Sequence, residues 1–103
     1  MNNTDYINKL NTFYNDLEIY MKSIPSGPNF ENTKIYAEKI APLITAQILK
    51  LQNNPLQERS IANPVELREN LLKLHQLMTE DEKIKFSEYI QLLDSIIIHD
   101  VKV

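Results

Sequence analysis

The sequence predicts an all-α fold, a compact antiparallel four-helix arrangement with its second helix kinked near Pro42. Three observations carry that expectation. Apolar residues recur at steps of three and four along most of the chain, which gathers them on one face of a helix. The 103 residues hold a single glycine, Gly27, and four of the five prolines fall at two breaks in the pattern. Two strong helix-start signals, at Asn63 and Thr79, divide what remains.

Helix 1 is expected over 4–24. Ile7, Leu10, Tyr14, Leu17, Met21 and Ile24 form its stripe, with Tyr6, Phe13 and Tyr20 on the shoulder at steps of seven. Asn3 or Thr4 can cap it and Asp5 suits the positive end of the helix dipole. Pro25-Ser26-Gly27-Pro28 reads as a turn. Helix 2 is expected over 30–53, capped by Asn29, with Tyr36, Ala37, Ile40, Leu43, Ile44, Ile48 and Leu51 inward. Pro42 lies within that pattern. It lacks an amide hydrogen and crowds the Glu38 carbonyl, so a kink or break is expected near Ile40-Ala41.

Helix 3 is expected over 64–78. Asn63 caps it, Pro64 takes the first helical position, and Glu66 can reach back to the cap. Leu67, Leu71, Leu74 and Met78 make its stripe, widened by Leu72 and Leu77. Thr79-Glu80-Asp81-Glu82 is a second capping box, and helix 4 follows over 80–98. Its inward face is Phe86, Tyr89, Ile90, Leu93, Ile96 and Ile97. The short connection at Thr79 makes helices 3 and 4 antiparallel neighbours. The length suits one domain, 1–103, with a modest core, so oligomerisation would add useful burial.

The net charge is −3, the wrong sign for a general nucleic-acid binder and too small for a DNA mimic. Residues 1–33 carry two lysines against four acids, 34–78 six basic residues against four acids, and the remainder three lysines against six acids. The middle is therefore mildly basic. The absence of cysteine excludes disulfide and thiolate chemistry. The amino terminus has no basic-then-apolar signal pattern, and the longest apolar run, Ile96-Ile97-Ile98, is too short to span a bilayer. A cytoplasmic protein without membrane association is expected. Abundant asparagine, lysine and isoleucine suggest an AT-rich bacterial or phage source.

No catalytic or metal pattern emerges. His75 and His99 are the only histidines, and neither has a ligand one turn away. The serines lack a nucleophile elbow. The carboxylates at Glu66 and Glu69, and at Glu80, Asp81 and Glu82, lie in first helical turns, where capping accounts for them. No enzyme, metal or cofactor is expected.

Two surfaces remain as candidates. Tyr6, Phe13 and Tyr20 on helix 1 make the apolar stripe wider than one packed neighbour needs, and tyrosine is favoured at interfaces. With Arg59 of the loop between helices 2 and 3, they are the expected anchors for another protein. Paired across a two-fold axis, the same helix would give a homo-oligomer. The alternative is a nucleotide-like ligand held by the Gly27 turn with Lys34 and Lys39 behind it.

In size and helix count the predicted bundle resembles bacteriocin immunity proteins and small phage-encoded inhibitors. That resemblance rests on no motif and transfers no residue role. It implies a non-enzymatic protein that docks onto another protein as an inhibitor, immunity or anti-defence factor. A small-ligand binder and a self-assembling structural subunit are the alternatives.

Overall fold

The computed structural model describes residues 3–24, 30–52 and 64–102, with backbone alone for 3 and 99–102. Within them four helices form: α1 (Asn3–Ser23), α2 (Phe30–Gln52), α3 (Pro64–His75) and α4 (Glu80–Lys102). The predicted caps Asn29 and Asn63, the Gly27 turn and Arg59 lie outside the described residues.

Each helix contributes a seam at alternating steps of three and four to one shared core. In α1 the seam is Tyr6, Leu10, Phe13, Leu17 and Tyr20. Ile7, Tyr14, Met21 and Ile24, read from the sequence as part of the central stripe, are only partly buried. The aromatic shoulder is therefore the true centre. α2 buries Thr33, Ala37, Ile40, Ile44 and Gln47; α3 buries Pro64, Leu67, Leu71 and Leu74. α4 buries Phe86, Tyr89, Leu92, Leu93 and Ile96.

The aromatic rings explain the rotation of α1. Phe13 stacks on Tyr89 with centroids 4.5 Å apart, and Phe86 meets Phe13, Tyr20 and Tyr89 edge-on at 6.3, 5.8 and 5.5 Å. The backbones of α1 and α4 approach less closely than those of the other neighbouring pairs. Large rings fill the wider gap, and offset or edge-on ring pairs add about 0.5–1.5 kcal/mol each beyond the area they bury. As Phe13 meets Tyr89 and Tyr20 meets Phe86, α1 and α4 run antiparallel. Arg68 against Asp94 (2.5 Å) and His75 against Ser87 (3.2 Å) make α3 and α4 antiparallel too. Tyr20, near the end of α1, bonds Thr33, near the start of α2. The order around the core is up-down-up-down.

Local chemistry sets the ends. α3 stops at His75, three residues before the expected end. The chain there closes in tighter three-residue steps, Leu77 N–H to the Leu74 carbonyl at 2.9 Å and Met78 N–H to that of His75 at 3.2 Å. The predicted capping box forms at Thr79. Glu82 Oε1 accepts from the Thr79 amide at 3.0 Å and from its hydroxyl at 2.9 Å, and the Glu82 amide donates to Thr79 Oγ1 at 3.4 Å. α4 continues to Lys102 rather than ending near 98. α2 is continuous through Pro42, so the break does not occur. Glu38 and Pro42 both lie on the solvent side, where water can serve the carbonyl that the proline leaves unpaired.

Candidate functional site

The aromatic anchors expected on helix 1 are core residues. Tyr6 is 5%, Phe13 0% and Tyr20 5% exposed, so they present almost no area to a partner. The stripe looks too wide for one neighbour because α1 has two, α2 on one flank and α4 on the other. Burial, with the Glu82 charge second, pushes the Tyr20 phenol up to about 12.

The proposed ligand lysines do not converge. Lys34 and Lys39 are five positions apart, which turns them about 140° from each other around α2. Lys34 faces Glu38 across 4.0 Å on the same helix, and Lys39 stands 5.9 Å from the Tyr36 ring centroid. Lys39 alone lines an open cleft between α2 and α3, with Pro42, Leu43, Glu66 and Asn70.

His75 has a structural position. Its Nε2 lies 2.9 Å from the Lys83 carbonyl and 3.2 Å from Ser87 Oγ, while the Ser87 hydroxyl donates to that same carbonyl at 2.6 Å. The serine proton is committed to backbone, so the pair ties the end of α3 to α4 and does not make an activated nucleophile. Among the described residues no group of three or more metal-ligating side chains comes together. No helix among them is long and apolar enough to cross a membrane.

A groove of about 460 Å³ lies between α1 and α4. Lys9 and Thr12 of α1 form one wall; Glu88, Gln91, Leu92 and Ser95 of α4 form the other, with Tyr89 at its floor. Helix geometry defines its length. Ile84, Glu88, Gln91, Ser95 and Ile98 follow at steps of four, three, four and three, one continuous outward stripe. Ile84 is 72% and Ile98 56% exposed, and they stand at the two ends of that stripe. Ile19, 61% exposed, lies seven residues beyond Thr12 on the same side of α1. The contacts of Phe13 with Tyr89 and of Asp16 with Lys85 set it nearly level with Ile84.

Beside the groove, three polar groups clamp the two helices. The Tyr89 hydroxyl donates to Asp16 Oδ2, and Lys85 Nζ sits 3.4 Å from Asp16 Oδ1. Burial, then the bond to Asp16, raises the Tyr89 phenol above its ordinary range. This clamp fixes the register of the groove walls.

The sequence reading missed the groove. It also passed over Ile84 and Ile98, which fall off the inward stripe of α4, on the face where charged and polar residues belong. No protein family, no curated protein and no solved structure matches this chain.

Proposed function

We propose that this is a non-enzymatic binding protein that acts by docking another protein onto its α1–α4 face. The observation that supports this reading is the exposure of Ile19, Ile84 and Ile98 on α1 and α4, the two helices that also wall the groove. Large aliphatic side chains left in water on these helices give a partner apolar area to cover. The polar residues between them, Lys9, Thr12, Glu88, Gln91 and Ser95, supply the hydrogen bonds that set orientation. The anchors thus move from the aromatic seam, which the core uses, to the isoleucines.

A protein of this kind works by covering a surface of its target and needs no chemistry of its own. An inhibitor, immunity or anti-defence role in a bacterial or phage-infected cytoplasm is the use we assign to it. The ligand reading at Gly27, Lys34 and Lys39 draws less support, because the two lysines diverge.

The test is capture from host lysate on immobilised protein, comparing the natural chain with Ile84→Lys and with Ile35→Lys, an exposed isoleucine on α2. A stoichiometric partner is expected with the natural chain and Ile35→Lys and is expected to be lost with Ile84→Lys, at equal helicity. Equal retention by Ile84→Lys would remove the α1–α4 face from the proposal. An empty natural chain would count against docking itself.

A further inference from the structure

Among the described residues, the buried polar side chains are Thr33 and Gln47, both on α2. They stand fourteen residues apart on one face, towards opposite ends of the core. Thr33 bonds the Tyr20 hydroxyl. Gln47 is 1% exposed, and neither atom of its amide has a partner among the described residues. Pro42 lies between the two. The helix is continuous there, but its ladder lacks one rung, because proline has no amide hydrogen to give the Glu38 carbonyl.

We propose that the arm of α2 beyond Pro42, residues 43–52, unfolds locally as a unit while the rest of the bundle stays folded, and that the Gln47 amide sets how often it does so. The device is separate from the α1–α4 face and stands whether or not that face docks a partner.

The amide is penalised only while the arm is closed. Once the arm leaves the core, both of its atoms bond water. An apolar side chain at this position would oppose opening, because opening would expose it. The orphaned amide does the reverse and raises the open population by the cost it carries in the closed state.

Little else of the arm is fully buried. Ile44 is, whereas Leu43, Ile48 and Leu51 pack against the core but stay partly exposed. The contacts that join the other helices do not pass through the arm. Tyr89 and Lys85 hold Asp16 between α4 and α1, and Arg68 meets Asp94 at 2.5 Å between α3 and α4. The Tyr20–Thr33 bond keeps the first half of α2 on α1. A bundle tied in this way can lose one arm without unfolding altogether.

Pro42 marks the boundary. The missing rung weakens the coupling between the halves of α2, so unfolding that begins at Gln52 need not run past it. Ten residues detached from the core are too few to remain helical in water, so their amides lose protection when the arm opens.

The test is native-state hydrogen exchange on the full chain, followed residue by residue in rising urea. The amides of Gln47 and Ile48 donate within the arm, to the carbonyls of Leu43 and Ile44. They are expected to exchange at least about tenfold faster than those of Leu71 and Leu93 in the core, with a shallower dependence on urea, as a partial opening requires. Gln47→Met is expected to raise the protection of these two amides by about 5- to 150-fold, the range that an orphaned amide implies. Pro42→Ala, which restores the rung, is expected to raise it as well.

Gln47 and Ile48 amides that exchange only with the whole molecule, at the rate and urea slope of Leu71 and Leu93, would overturn the proposal. So would unchanged protection in Gln47→Met, which would mean that the amide is bonded in the closed protein. Unchanged protection in Pro42→Ala would overturn the proline as the boundary of the arm.

Discussion

Replacing Gln47 with methionine should make the protein more stable. Gln47 is 1% exposed, and among the described residues neither its amide nitrogen nor its amide oxygen has a hydrogen-bond partner. The register set by Tyr20 and Thr33 puts it level with Tyr6, fourteen residues along each helix, inside the bundle. An orphaned buried polar group costs about 1–3 kcal/mol relative to an apolar group of the same shape. Gln47→Met keeps the length and flexibility of the side chain and removes the amide, so about 1–3 kcal/mol should be recovered. For a domain of this size each kcal/mol raises Tm by about 4–8 °C. In urea the midpoint should move up by about 1 M for a 2 kcal/mol gain at a typical slope, with the slope itself unchanged. The assay is far-ultraviolet circular dichroism in urea and on heating, with Ala37→Ser as a control that adds a buried hydroxyl and should destabilise. A Gln47→Met protein that is no more stable, or less stable, would refute the reasoning. It would mean that the amide is satisfied in solution, as an internal water would do.

Three further outcomes follow from the same geometry. Tyr20→Ala should cost about 3–5 kcal/mol, the range for deleting a large buried ring, because Tyr20 packs on Phe86; a Tm within a few degrees of the natural chain would return it to the surface. Thr79→Ala should cost about 1 kcal/mol in urea unfolding, and adding Glu82→Ala should cost little more, because the two side chains form one reciprocal cap; fully additive losses would show that each acts elsewhere. On alkaline titration followed by tyrosinate absorbance, Tyr20 and Tyr89 should ionise above the ordinary phenol value near 10. Both phenols are raised in the folded state, so their stabilising contribution is complete below the unfolded value near 10. It is lost as pH rises towards about 12 for Tyr20; ionisation of Tyr20 and Tyr89 at the ordinary value would contradict the burial.

Much of the fold was legible because it is written in local terms. The three-and-four periodicity gives helices wherever it runs, and Pro25, Pro55 and the Thr79 box interrupt it where the described helices stop or start. What periodicity does not specify is which edge of a wide stripe becomes the centre. In α1 both Tyr14 and Phe13 fit the period. The choice is made by α4, whose Phe86 and Tyr89 supply rings that only the Tyr6-Phe13-Tyr20 edge can meet. Partner identity across a bundle is a property of the tertiary arrangement, so the rotation of a helix by half a turn's width escapes a single-helix reading. The same reasoning explains Pro42. From sequence a proline within a helix signals a lost bond, but the cost depends on where the freed carbonyl points, and here Glu38 and Pro42 are exposed.

The candidate site was less legible, for a related physical reason. Tyrosine at helical spacing is read as an interface because its ring and hydroxyl suit one, yet the same two properties suit a buried seam where hydroxyls find partners. Tyr89 donates to Asp16 and Tyr20 bonds Thr33. With those hydroxyls satisfied inside the chain, the aromatic residues gain more by closing the wide α1–α4 gap than by waiting for a partner. The exposed isoleucines have no such internal outlet. Their side chains carry no polar atom, and the core beneath them is already filled by Leu92, Leu93 and Ile96. An apolar residue that the fold leaves in water can gain burial only from another molecule. That argument, rather than aromatic content, is the ground for the docking proposal, and Ile35 on α2, exposed in the same way, is its control.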